Sequence, residues 1–335
     1  MNISEILRGT VPGTMQQVGY MTMIPLTREK QDDNICDPSK ILLGTANYGE
    51  MSMENPTANV AILPFGSSIM TKQAAQNHAT PKAKLLRSNS RDKIHYAACI
   101  QETQGGLIGQ GSHEISILPW VLKEEALKSR DTTEYNKLWP SIREFNKVLG
   151  VRVTGHLELY LDHFKDDLDT FIAQFEIIPN QVGAIILMNG YVMGIELAPN
   201  YSYFKDIWRP LIRECYGSLV LQYTKEFGGN PPMPKTRTPL NTNVKDLKAL
   251  QKELVRVQKD EDDKVKSTIR KFIGEDFELT QEEKNAGYCV QTVKNEQFIG
   301  QIVESTSGDI VYASLLTSTQ GIKQQSSRKN EPFTI

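Results

Sequence analysis

Cysteine is scarce in this chain. Four in 335 residues, Cys36, Cys99, Cys215 and Cys289, stand far apart with no CxxC pair, which excludes a disulfide framework and the common zinc-finger spacings. No stretch approaches the roughly 18 to 20 continuous apolar residues of a membrane span. The first residues, MNISEILRGTVPG, have no basic segment followed by an apolar one, so no secretory leader is expected. A basic surplus is missing too: 38 Lys and Arg stand against 40 Asp and Glu, a net charge of −2. A duplex nucleic-acid binder needs that surplus for its phosphate contacts, so this class is excluded, although a local basic patch is not. GxGxxG, the Walker lysine motif, GxSxG and HExxH do not occur, and neither cofactor nor metal is expected. These absences leave a protein of the reducing cytoplasm, with free thiols and no membrane partner.

What is present is an ordinary globular composition, 39% hydrophobic and 23% charged, on a chain long enough to build a core without disulfides. Strands are expected at Gly19–Leu26, Ala58–Phe65 and His95–Gln101, the last with Tyr96, Ala98 and Ile100 on one face. Residues 118–149 turn helical, with Pro140 in the first turn of a new helix. His156–Phe175 carries Leu157, Leu161, Phe164, Leu168, Ile172 and Phe175 at spacings of three and four, which predicts one long amphipathic helix. The sharpest local signal is Gln181–Leu197, two β-rich runs joined by Asn189-Gly190, a pair that accepts the positive φ angles of a type I′ hairpin. A helix capped by Ser202 comes next and is expected to kink or restart at Pro210.

Beyond it, residues 228–243 are dense in proline, glycine and asparagine and read as a linker. Leu247, Leu250, Leu254 and Val257 then form a narrow seam on a charged helix. Strands return over 287–317 around a Ser307-Gly308-Asp309 turn, and a polar tail without fixed structure is expected from Gln320. The expected class is α+β, with mixed and antiparallel sheets and hairpins packed on several helices. The expected division is a main domain over 1–227, a linker and charged helical insertion over 228–285, C-terminal strands over 286–318 packing back on the main domain, and a tail over 319–335.

Function is expected between Ile62 and Gly111. Lys72, Gln73, Gln76, Asn77 and His78 crowd into seven residues, a set suited to hydrogen-bonding a polar, anionic ligand. The lysine offers a point charge for phosphate and the amides can read ribose hydroxyls or a base edge. Lys82, Lys84, Arg87, Arg91 and Lys93 form a basic cluster, either a solvated hairpin loop or a phosphate-facing one. Cys99 lies in an apolar strand and reads as an inert buried thiol more readily than as a nucleophile. His156 and His163 lie two helical turns apart, about 10 Å, too far to share one ion.

The order of elements resembles the domains associated in operons with ADP-ribosylglycohydrolases and rhodanese-phosphatases. Gly66, Lys72, Gln73 and Asn77, succeeded by a strand with Cys99 and then Glu102, resemble the family's first segment. QVGAIILMNGYVMGIEL and YFKDIWRPLIRECYGSL resemble its hairpin and aromatic helix, and residues 287–317 its closing strands. The resemblance implies ligand-binding positions at Lys72, Gln73, Asn77, Cys99 and Glu102, and His78 lies among them. It implies a domain binding ADP-ribose or another NAD-derived nucleotide, with processing left open. The alternative is a scaffold that oligomerises through the charged helix.

Overall fold

The computed structural model describes residues 1–70, 76–102, 114–226, 244–270 and 276–329. Its class is α+β. The frame is a nine-stranded antiparallel sheet: β1 (Thr10–Pro12), β2 (Gln16–Val18), β3 (Met21–Arg28), β4 (Gln181–Met188), β5 (Tyr191–Leu197), β6 (Glu278–Asn285), β7 (Tyr288–Lys294), β8 (Phe298–Ser305) and β9 (Ile310–Thr317). The order is β1-β3-β4-β5-β9-β8-β7-β6, with β2 also on β3. Chain ends and middle therefore meet in one sheet. The C-terminal strands extend it directly through β5 and β9.

The central strands β4 and β5 are buried at every position, which explains their unbroken apolar runs. Ala184, Ile186 and Met188 face one hydrophobic cluster with Tyr203, Phe204 and Ile207. Val182, Ile185 and Leu187 face the other, with Ile3, Ile6, Val265 and Phe277. The hairpin turn forms as expected, with Asn189 at φ 48° and Gly190 at φ 76°. Past Asn200, whose side chain caps Tyr203 N, the helix Tyr201–Arg209 runs into a π-helical turn over Pro210–Tyr216 and continues as Gly217–Glu226. The expected irregularity at Pro210 is thus a wide turn, and the cap is Asn200 in place of Ser202.

Other expectations are corrected. The helix foreseen over His156–Phe175 is two, Glu158–His163 and Lys165–Ile172, because Phe164 at φ −105°, ψ 21° leaves helical geometry. The apolar stripe runs through the break, so periodicity could not reveal it. His95–Gln101 pairs as a strand only at Ala98–Cys99, since Cys99 N donates to Tyr135 O and Ile100 N to Asn77 O. The charged helix is described over Leu247–Arg270, and Glu278–Asn285, expected within the helical insertion, is the edge strand β6. The tail forms a helix over Thr319–Lys329. There Ile322 is buried, and the Gln325 amide bonds both N and O of Val192 at 3.0 Å.

The basic cluster divides: Arg87, Arg91 and Lys93 are exposed, as a solvated loop would have them, whereas Lys82 and Lys84 are half-buried and ion-paired. Lys82 reaches Glu282 and Asp131, Lys84 reaches Glu283 and Asp92, and Arg91 reaches Glu54. Arg87 donates to Asn285 Oδ1 at 2.7 Å. Through Lys82, Lys84 and Arg87 the cluster clamps the edge strand β6 onto the body.

Candidate functional site

Two of the sequence-predicted residues, His78 and Cys99, lie in a small sheet of four strands, Ser67–Met70, His78–Ala79, Ala98–Cys99 and Glu114–Ile117, and Asn77 and Glu102 are close to them in the chain. Antiparallel register sets Cys99 opposite His78, and His78 opposite Ile69. Asn77, His78, Cys99 and Glu102 are therefore brought together. Lys72 and Gln73 lie outside the described residues.

His78 is fully buried. Its Nε2 accepts from Gly49 N at 3.0 Å, and Nδ1 stands 3.4 Å from the Gln76 carbonyl. An acceptor role for Nε2 places the proton on Nδ1, so the ring is a neutral imidazole with both nitrogens engaged by backbone. Burial pulls its pKa down to about 4. Beside it, burial pushes the Cys99 thiol up, and the sulfur donates to Gln101 O at 3.2 Å. A nucleophilic thiol requires the opposite shift. Cys99 and His78 are here a neutral, packed pair.

Glu102 is fixed differently. Its carboxylate accepts from the Arg143 guanidinium and from Gly155 N at 2.5 Å, and the Arg143 bonds hold its pKa below the usual carboxylate range. Near neutral pH His78 is thus neutral, Cys99 protonated and Glu102 ionised, so none of the three is poised to exchange a proton. The arrangement is suited to binding.

The polar groups that suit binding sit one residue earlier. Asn77 N donates to Gln101 Oε1 at 3.2 Å, and Asn77 Nδ2 to Glu158 Oε2 at 3.1 Å. His156 Nε2 lies 3.4 Å from that same oxygen. A carboxylate flanked by an amide is a pair that can read neighbouring hydroxyls. Gln76 is fully buried, yet among the described residues neither its Nε2 nor its Oε1 has a partner. Leaving a buried amide unsatisfied costs about 1–3 kcal/mol, so such a group calls for an explanation. Glu158 and Arg143 gave no signal in the sequence, because each reaches the site from a segment distant in the chain; Gln101 stands between Cys99 and Glu102, and only the fold shows that its side chain meets Asn77.

A second polar cluster lies inside the molecule and is closed. Lys123 and Glu196 are 1% and 3% exposed. Lys123 Nζ sits 3.5 Å from Glu196 Oε1 and donates to Ser314 Oγ at 2.7 Å, while Tyr216 OH donates to Glu196 Oε1 at 2.8 Å. Two glycines make the space. A Cβ on Gly194 would stand 1.9 Å from the Tyr216 hydroxyl, and one on Gly66, already at φ 77°, would press on the Lys123 stem at 3.2 Å. π-helical turns like Pro210–Tyr216 often mark functional sites. Here the turn presents Tyr216 to a network whose charged groups are already paired.

Residues 10–300 match the ARG and Rhodanese-Phosphatase-superfamily-associated Protein domain, and the chain belongs to this family. No curated protein and no solved structure matches it.

Proposed function

We propose that this member of the family is a ligand-binding domain for ADP-ribose or another NAD-derived nucleotide, held at the Gln76–Asn77 end of the small sheet. The observation that carries it is the buried Gln76 amide with neither atom partnered among the described residues; a bound base edge or hydroxyl would satisfy both its donor and its acceptor. Glu158 with Asn77 suits a ribose diol. Lys72, four residues before Gln76 in the chain, is the expected phosphate contact. The operon neighbourhood that the resemblance implies, an ADP-ribosylglycohydrolase above all, points to the same ligand class.

Calorimetry of the full chain with ADP-ribose and NAD is the test. Binding that weakens about tenfold or more in Gln76→Leu and in Lys72→Ala is the expected result. No heat with either ligand at about 1 mM would sink the reading. Equal binding by Lys72→Ala would remove that residue from it.

One observation favours a second reading, an interaction protein. On the helix Leu247–Arg270, Leu247, Leu250 and Leu254 are 83%, 38% and 50% exposed, whereas Val265 near its other end is buried in the core. A seam left open on a helix anchored at one end suits contact with another helix. Replacing all three leucines by glutamate should then lower the mass measured by light scattering; an unchanged mass counts against it.

A further inference from the structure

A cavity of about 640 Å³ opens at the far end of the main sheet, lined by Arg8, Arg28, Lys30, Asp32, Tyr288 and Asp309 among others. Its volume is in the range of small-molecule sites. Five chain segments meet there: the helix Ile3–Ile6 with the turn after it, the end of β3 with the loop beyond it, Pro199 after β5, the β6–β7 turn and the β8–β9 turn. None belongs to the small sheet, so the cavity is independent of the nucleotide reading.

The charges on its wall divide into two kinds. Lys30 is paired with Asp309 at 3.0 Å, and Arg8 with Glu5 at 3.8 Å. Arg28 and Asp32 have no ion-pair partner among the described residues. The Arg28 guanidinium is held by two carbonyls, Nη1 to Ile310 O at 3.0 Å and Nη2 to Arg8 O at 2.9 Å, while its buried Nε has no partner among the described residues. Asp309, which acts on it from beyond ion-pair distance, is already taken by Lys30. Among the described residues the Asp32 carboxylate is held by neutral donors only: Tyr288 OH at 2.8 Å, and Asn34 N and Nδ2 at 3.1 Å.

We propose that this cavity binds a small zwitterion of the amino-acid class, its carboxylate on Arg28 and its ammonium on Asp32. Two opposite charges fixed by neutral groups and left without counter-ions form a template for a ligand carrying both. Three cations and three carboxylates (Arg8, Arg28, Lys30 against Glu5, Asp32, Asp309) line the cavity. A polyphosphate would meet those carboxylates unfavourably, whereas a net-neutral ligand would not. The nucleotide proposed for the small sheet therefore does not fit here.

Saturation-transfer NMR on the full chain with the free L-amino acids, one at a time, tests this. The best binder is then compared with its N-acetyl and carboxamide forms and with inorganic phosphate. The expected result is binding of the free amino acid, weakened about tenfold or more when either charge is capped, and weakened similarly in Arg28→Met and Asp32→Asn. Arg28→Lys, which keeps the charge, covers the case in which Arg28→Met does not fold, and it should retain weakened binding. The proposal is overturned if no amino acid binds at about 10 mM, if the capped forms or phosphate bind as well, or if folded Asp32→Asn binds as tightly as the parent.

Discussion

Two buried polar regions of this molecule treat hydrogen bonding in opposite ways. Around Lys123, charge, hydroxyl and carboxylate interlock: ammonium to Glu196 and Ser314, phenol to Glu196, with Gly66 and Gly194 clearing the space. Around Gln76 the neighbouring His78 is bonded at both ring nitrogens, yet the Gln76 amide itself is unpartnered among the described residues. The first region is complete as it stands and serves the fold. The second lacks partners at both polar atoms of the Gln76 amide among the described residues, and that is where an added molecule would gain most. Burial alone therefore does not mark a site. Unmet hydrogen-bonding capacity does.

The largest effect should come from opening the closed region. Lys123→Met leaves Glu196 as an uncompensated buried carboxylate and should destabilise the fold by about 3–5 kcal/mol, measured by urea unfolding. A variant as stable as the parent would mean that the network is not held by charge. Next is acid. The folded pKa of His78 is about 4 against 6.5 for the free side chain, so the unfolded chain takes up the proton first as pH falls below 6.5. Stability carried by the neutral ring is complete above pH 6.5, declines between 6.5 and 4, and is flat below. The limit is about 3 kcal/mol. The gap between the unfolding midpoints of the parent and His78→Asn should change with pH only in that window, narrowing as pH falls. Parallel profiles would contradict the closed imidazole.

Gly194→Ala forces a methyl group into the Tyr216 hydroxyl and should cost about 1–3 kcal/mol by overpacking. Pairing it with Tyr216→Phe should relieve part of that loss, and simple additivity would show that the two do not interact. Smallest and of opposite sign is Gln76→Leu, which removes an unsatisfied amide and should leave stability equal or raise it by about 1 kcal/mol.

What the sequence could foretell was limited by distance along the chain. The Asn189-Gly190 turn was legible because two adjacent residues dictate its backbone angles. The double-sided burial of β4 shows in its unbroken apolar run. The small sheet has strands of only two paired residues at His78 and at Cys99, too short for any period to register. Its polar partners come from afar, with Glu158 81 residues beyond Asn77. The Arg28 cavity is harder still: its guanidinium rests on a carbonyl 282 residues away. Cys99 reads as an inert buried thiol already from its apolar strand, whereas only packing reveals that His78 is neutral and occupied.

The most direct test measures Gln76→Leu twice, once for melting temperature without ligand and once for ADP-ribose affinity by calorimetry. A melting temperature equal to or above the parent's together with lost binding is the predicted result. A lower melting temperature with unchanged binding would show that the Gln76 amide serves the fold and not a ligand.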